Sequence, residues 1–285
     1  MSSKITLVEC PRDAMQGWAH FIPTAEKVNY LNTLLRVGFD VLDFGSFVSA
    51  KAIPQLADTK EVIPQLQLDG INTKLLAIIA NTRGAEDAVA YDEISYLGFP
   101  FSISETFQQR NTNKSIAESL TQVEEMQKLC VQRGKELVIY ISMGFGNPYG
   151  DPYNAEVAID WVGKLSQLGI KTFAMSDTVG VAKPETIEYI YKSLVPEFKN
   201  LHIGAHFHST PDTWEEKINA AYNNGCLRFD SSIKGIGGCP MAEDELVGNI
   251  ATENLLWWAG KNNIDLGLDM NAFNEAMQIA GRIFI

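Results

Sequence analysis

The sequence predicts a (β/α)8 barrel, an α/β fold in one domain. Three observations carry that expectation: eight strand-like apolar runs alternate with stretches of helical periodicity, glycines punctuate the helix ends, and polar residues recur where the strands finish. In chain order, a first strand at 5–10 runs into Pro11, and a helix at 25–37 is closed by Gly38, ahead of a strand at 41–46. Further strands are expected at 74–81 and 93–98; a helix at 115–133 ends at Gly134 before the fifth strand, 136–143. A helix at 154–168 stops at Gly169 and leads to a strand at 171–177, and Pro184 opens the helix 184–195 that precedes the seventh strand, 202–208. A helix at 213–224, stopped by Gly225, delivers the eighth strand, 228–233. Glycine after a periodic stretch suits a left-handed cap, and proline suits the first helical turn. No linker or compositional break divides residues 1–285, so a single catalytic domain is expected.

Composition narrows the function. With 285 residues and 46% hydrophobic content the chain can bury a sizeable core. A formal net charge of −12, with no long basic run to offset it, argues against a nucleic-acid or anionic-membrane partner. The first residues lead straight into a strand without a leader-like pattern, and no apolar run approaches the ~18 residues of a membrane span. Cys10, Cys130, Cys226 and Cys239 lack paired spacing, which suits reduced thiols and a cytoplasmic setting. The sequence is compatible with a homo-oligomer and does not set its state.

In such barrels chemistry gathers at the C-terminal ends of the strands. Asp13 follows the first strand, Asp43 lies in the second, Asn81 ends the third, Asp177 the sixth, His206 and His208 the seventh, and Cys239 and Asn249 follow the eighth. Residues two apart on a strand share a face, so His206 and His208 can serve one cation. A His-x-His pair alone is more often hydrogen-bonded structure than a ligand pair. Its convergence with Asp13 and Asn249 points to a divalent cation, and two nitrogens with two oxygens suit Mg²⁺ or Mn²⁺ in a site open to substrate. His20 and His202 lack such partners and are expected to be structural or exposed.

The segments Val8-Glu9-Cys10-Pro11-Arg12-Asp13, Ser46-Phe47-Val48-Ser49-Ala50-Lys51 with Pro54-Gln55, Asp177-Thr178-Val179-Gly180-Val181, His206-Phe207-His208 and Gly237-Gly238-Cys239-Pro240 occur in this order. Together they resemble the 3-hydroxy-3-methylglutaryl-CoA lyase family of metal-dependent lyase and synthase barrels. The resemblance implies retro-Claisen cleavage of 3-hydroxy-3-methylglutaryl-CoA, or a similar acyl-CoA or hydroxy-acid substrate, to acetyl-CoA and a 3-oxo acid. It implies metal ligation by Asp13, His206, His208 and Asn249, and it places Arg12 over the thioester oxygen. Asp43 takes the place of a family glutamate, Asp177 and His206 stand where the hydroxyl proton is managed, and Cys239 matches the thiol that protonates the enolate.

This chain also departs from the family pattern. Ala14 replaces a glycine, Asp43 is one methylene shorter than the family's glutamate, and Ser209-Thr210-Pro211-Asp212 follows the second histidine. The loop after Cys239 carries Glu243, Asp244 and Glu245, and no lysine follows Gln16 to meet a CoA phosphate. These departures predict slower turnover of the family substrate or preference for another. The alternatives are a metal-dependent aldolase or condensing synthase acting on a 2-oxo acid, and a non-catalytic binding barrel.

Overall fold

The structure, a computed structural model, describes residues 4–238 and 247–285. Eight parallel strands close on themselves: β1 (Thr6–Glu9), β2 (Val41–Ser46), β3 (Lys74–Ile78), β4 (Ile94–Ser102), β5 (Glu136–Ser142), β6 (Thr172–Asp177), β7 (His202–Ser209) and β8 (Arg228–Ser231). Each pairs with its sequence neighbours, and β8 returns to β1 with Arg228 opposite Thr6 and Ser231 opposite Glu9. The expected eight-fold barrel is therefore present.

Helices wrap the outside: α1 (Pro11–Gln16), α2 (Thr24–Val37), α3 (Thr59–Val62), α4 (Thr82–Ala88), α5 (Glu105–Thr112), α6 (Ile116–Gln132), α7 (Ala155–Ser166), α8 (Pro184–Glu197), α9 (Trp214–Tyr222), α10 (Thr252–Lys261) and α11 (Met270–Ile283). Among the described residues, no helix is long and apolar enough to cross a membrane. The helix-stopping glycine at position 38 adopts φ 89°, the left-handed conformation that costs other residues most. The longest helix, α6, opens on a reciprocal capping box between Ser115 and Glu118 that satisfies two otherwise orphaned donors.

Two apolar regions follow from strand alternation. Outward residues such as Leu7, Leu42, Ile139, Phe173 and Phe207 pack under the helices. Inside, Val8, Val41, Leu76, Ile78, Val138 and Ala174 fill the barrel. Removing such side chains from water stabilises the fold by about 25 cal/mol per Å².

Several boundaries differ from expectation. β3 ends at Ile78, and Asn81 instead caps α4 by accepting a hydrogen bond from the Gly84 amide at 2.9 Å. β4 runs past Gly98 through Pro100 to Ser102. A two-residue strand, β9 (Gly248–Asn249), pairs antiparallel with the end of β7, setting Asn249 opposite His208.

Candidate metal centre at the barrel mouth

α1 begins immediately after β1, so Arg12 and Asp13 are held at the rim as the chain turns from strand to helix. Arg12 reaches across to β2: its Nε donates to Asp43 Oδ1 at 3.2 Å and its Nη2 to Oδ2 at 2.6 Å. This is the planar, two-pronged contact a guanidinium makes best. The remaining terminal nitrogen, Nη1, donates to Asp13 Oδ1 at 2.7 Å and to Gln16 Oε1 at 2.9 Å. Burial pushes the Asp43 carboxyl up to about 6 against the pull of Arg12. Glu9 faces the helix layer, where it accepts from the Ile233 amide.

β7 directs His206 and His208 into the mouth and Phe207 outward against Phe145 and Tyr191. The two imidazoles stand 5.3 Å apart between centroids. Each is fixed from behind: His206 Nδ1 lies 3.2 Å from Asp230 Oδ2, and His208 Nδ1 lies 2.8 Å from the Thr178 carbonyl oxygen. Such contacts set the tautomer and ring direction of a ligating histidine. His208 Nε2 is buried with no hydrogen-bond partner, an acceptor aimed at nothing within the described residues.

Ligand atoms of Asp13, His206 and His208 all lie within 4.8 Å of one another. A carboxylate and two imidazoles, one of them with an orphaned ring nitrogen, constitute a donor set that fits a divalent cation. Asn249 is delivered by β9, where its Nδ2 donates to Asp13 Oδ2 at 2.7 Å and to the Ile236 carbonyl at 3.0 Å. Gly237 makes the approach workable, since a Cβ there would come within 2.7 Å of Asn249 Nδ2 and 2.8 Å of the Asp13 carbonyl.

The electrostatics agree with the geometry. Burial opposes ionisation of Asp13, but Arg12, His206 and His208 outweigh it and hold the carboxyl below its ordinary range. Burial and the neighbouring His206 push His208 down to about 4, leaving it neutral and able to ligate. Burial works against charge on His206 too, yet Asp230 and Asp13 draw its pKa upward.

Arg12, Asp13, His206, His208 and Tyr140 line a cavity of about 380 Å³ at this end of the barrel. Another cavity of about 490 Å³ opens at the opposite rim beside Lys4, Glu136 and His202, but none of the candidate ligands reaches it.

One sequence expectation needs correction. Asp177 is not presented to the cavity: it lies opposite Phe207 in the β6–β7 register and shares its outward face, whereas Ser176 lies opposite His206. Lys217 holds Asp177 Oδ2 at 2.6 Å, and the Ala182 amide donates to Oδ1 at 3.0 Å. Cys239 and the acidic stretch Glu243 to Glu245 lie outside the described residues. His20 and His202 are exposed, and Cys10, Cys130 and Cys226 are buried. Asp230 was not singled out from sequence; the available signal was charge at Arg228 and Asp230, both on the inward face of the eighth strand.

Comparison with known proteins places the chain in a family. The HMGL-like family model matches residues 4–279. The 3-hydroxy-3-isohexenylglutaryl-CoA/hydroxymethylglutaryl-CoA lyase of Pseudomonas aeruginosa is 33% identical over 282 residues, 98% of this chain and 92% of the relative. Hydroxymethylglutaryl-CoA lyase of Bacillus subtilis is 32% identical over 274 residues, covering 96% of this chain and 91% of the relative. The structure of an HMG-CoA lyase from Acinetobacter baumannii in complex with coenzyme A and 3-methylmalate superposes with a TM-score of 0.91 at 28% identity, covering 100% of this chain and 93% of that one. The chain belongs to the HMGL-like family.

Proposed function

We propose that this chain is a divalent-metal-dependent carbon–carbon lyase that cleaves 3-hydroxy-3-methylglutaryl-CoA, or a similar hydroxyacyl thioester, to acetyl-CoA and a 3-oxo acid. The observation that carries the reading is the Asp13–His206–His208 cluster beside Arg12 at the mouth of the barrel. The named relatives are lyases of this substrate class, and one solved relative holds coenzyme A. The proposed compartment is the cytoplasm.

Asp13, His206 and His208 would hold the ion, Mg²⁺ or Mn²⁺ by the mix of nitrogen and oxygen donors. Asn249 would join through Oδ1 once its carboxamide, which now turns Nδ2 to Asp13, rotates. When bound, the cation supplies a Lewis acid that lowers the pKa of the substrate's tertiary hydroxyl.

As the hydroxyl loses its proton, its oxygen becomes a ketone oxygen and the carbon–carbon bond opens. The bonding pair passes to the carbon beside the thioester. Arg12, held flat by Asp43, would set fixed positive charge by the thioester oxygen as the enolate forms. Cys239 would then donate its thiol proton to the enolate carbon, a role open to a thiol with an ordinary pKa of about 8.5. Asp177 is held by Lys217 on the outward face of β6, and His206, with Nδ1–H directed to Asp230 and Nε2 given to the ion, would orient the hydroxyl without taking its proton, which would pass to solvent in the cavity.

The test is incubation of the Mn²⁺-loaded protein with hydroxyacyl-CoA esters and with free hydroxy and oxo acids, identifying products by mass. Acetyl-CoA and acetoacetate from 3-hydroxy-3-methylglutaryl-CoA are expected. Cleavage of a free 2-oxo acid instead would replace this reading with the aldolase one. A His206→Ala/His208→Ala variant that bound Mn²⁺ like wild type would remove the metal centre from the account.

A further inference from the structure

Barrel interiors are ordinarily filled by layers of branched apolar side chains. On β8 that pattern is broken, because Arg228 and Asp230 both face inward and are only 7% and 3% exposed. Burying a guanidinium and a carboxylate costs several kcal/mol each before they pair. The neighbouring strand is cut to fit: a Cβ on Gly204 would come within 2.9 Å of Arg228 Cγ and Nη1. Sequence, space and charge have thus been given over to an ion pair where an apolar layer would be cheaper.

The pair leads to the metal centre. Arg228 Nη1 lies 2.8 Å from Asp230 Oδ1, and Asp230 Oδ2 lies 3.2 Å from His206 Nδ1. Neither Arg228 Nη1 nor Asp230 Oδ1 has an aligned hydrogen-bond partner, so their contact is one of charge, and each compensates the other. Tyr140 meets the His206 ring edge-on at 5.4 Å and 87°, limiting its rotation. A carboxylate at Nδ1 accepts the ring proton there and leaves Nε2 as the lone-pair nitrogen.

We propose that Arg228 and Asp230 are positioning residues for the metal centre: Arg228 holds Asp230 in place through the barrel interior, and Asp230 holds His206 in the Nδ1–H tautomer with Nε2 free to ligate. The proposal rests on the reading of His206 as a ligand. It adds a cation on the far side of the barrel layer that touches neither metal nor substrate yet governs how well the ion is held. Outer partners of ligating histidines are commonly worth about 10- to 100-fold in metal affinity.

The experiment measures Mn²⁺ affinity by titration calorimetry for wild type, Arg228→Met, Arg228→Lys, Asp230→Asn and the Arg228→Met/Asp230→Asn double variant, with thermal melting of each. Arg228→Met and Asp230→Asn should each weaken Mn²⁺ binding by about 10-fold or more. Arg228→Lys should recover most of the loss, and the double variant should bind no worse than Asp230→Asn, because Arg228 acts through Asp230. Metal-free ¹⁵N NMR of the histidines should show Nδ1–H at His206 in wild type and loss of that preference in Asp230→Asn. If Arg228→Met melts before binding can be read, Arg228→Lys and the NMR comparison still decide. Wild-type affinity in a folded Arg228→Met, or losses that simply add in the double variant, would overturn the proposal alone. Absence of Mn²⁺ binding by wild type would overturn the metal reading as well.

Discussion

Glu9 shows how one side chain can tie the fold to pH. It faces away from the cavity, fully buried, with its carboxyl raised to about 8 by burial. Thr252 Oγ1 lies 2.5 Å from Glu9 Oε2 and 2.9 Å from Ser231 Oγ, and its single proton cannot serve both. A protonated Glu9 donating to Thr252, with Thr252 donating to Ser231, satisfies every group. The unfolded carboxyl titrates near its ordinary 4.5, so between there and about 8 the folded protein holds a proton that the unfolded chain has lost. The contribution of Glu9 to stability is therefore complete below the lower value and falls as pH rises through the upper one. Glu9→Gln keeps the shape, accepts from Ile233 and donates to Thr252. Its urea midpoint should decline less between pH 5 and 8 than that of wild type; parallel declines would show that Glu9 is charged in the folded state. If Cys239 is the proton donor proposed above, Cys239→Ala should keep Mn²⁺ affinity and lose most turnover, and unchanged turnover would exclude the thiol from proton donation.

At the scale of elements, Lys217 on α9 ties the loop after β6 to the end of β7. Its ammonium donates to Asp177 Oδ2 at 2.6 Å, to the Gly180 carbonyl at 3.0 Å and to the His208 carbonyl at 2.8 Å. Thr178 in that loop offers its carbonyl to His208 Nδ1, so the same tie orients that imidazole. Lys217→Met leaves Asp177 buried without its counter-charge, which ordinarily costs about 3–5 kcal/mol. Lys217→Met/Asp177→Leu should recover much of that loss in the urea midpoint, and a double variant less stable than the single one would show that the pair is a net stabiliser. This tie also marks what the sequence could convey. Placement of the eight strands and of the five expected helices was legible, because period-2 and period-3.6 patterns and helix-stopping glycines are local; Gly38, Gly134, Gly169 and Gly225 all adopt positive φ. The direction of Asp177 was not legible, because it depends on which residue of β7 lies opposite, and register is a property of two segments. The same holds for β9, whose two residues are too few for any periodicity and acquire their role only against His208. Arg228 and Asp230 were hidden for a different reason: charge in a barrel strand conflicts with the apolar rule, and only the glycine facing Arg228 reveals the space made for it.

For the molecule as a whole, the dominant quantity is charge. The chain carries −12 formally, whereas the cation at the described cavity wall, Arg12, already faces Asp43 and Asp13. A CoA thioester bearing several phosphates must approach through that field, and like charge slows encounter just as opposite charge steers it. Screening shortens the reach of the field from about 30 Å at 0.01 M salt to about 8 Å at 0.15 M. For this protein, added salt should therefore lower KM for the CoA thioester across that range while kcat changes little. The corresponding acyl-pantetheine thioester, which lacks the nucleotide phosphates, should respond much more weakly and serves as the control. Glu243, Asp244 and Glu245 add three acids to the sequence after Cys239, so replacing them with Gly, Ala or Ser should reduce the salt effect and raise kcat/KM most at low ionic strength. A KM that rises with salt would mean that local cations capture the phosphates and that net charge does not set the approach. Equal salt responses for the two thioesters would place the effect on the carboxylate end of the substrate, at Arg12 and the metal, instead of on CoA.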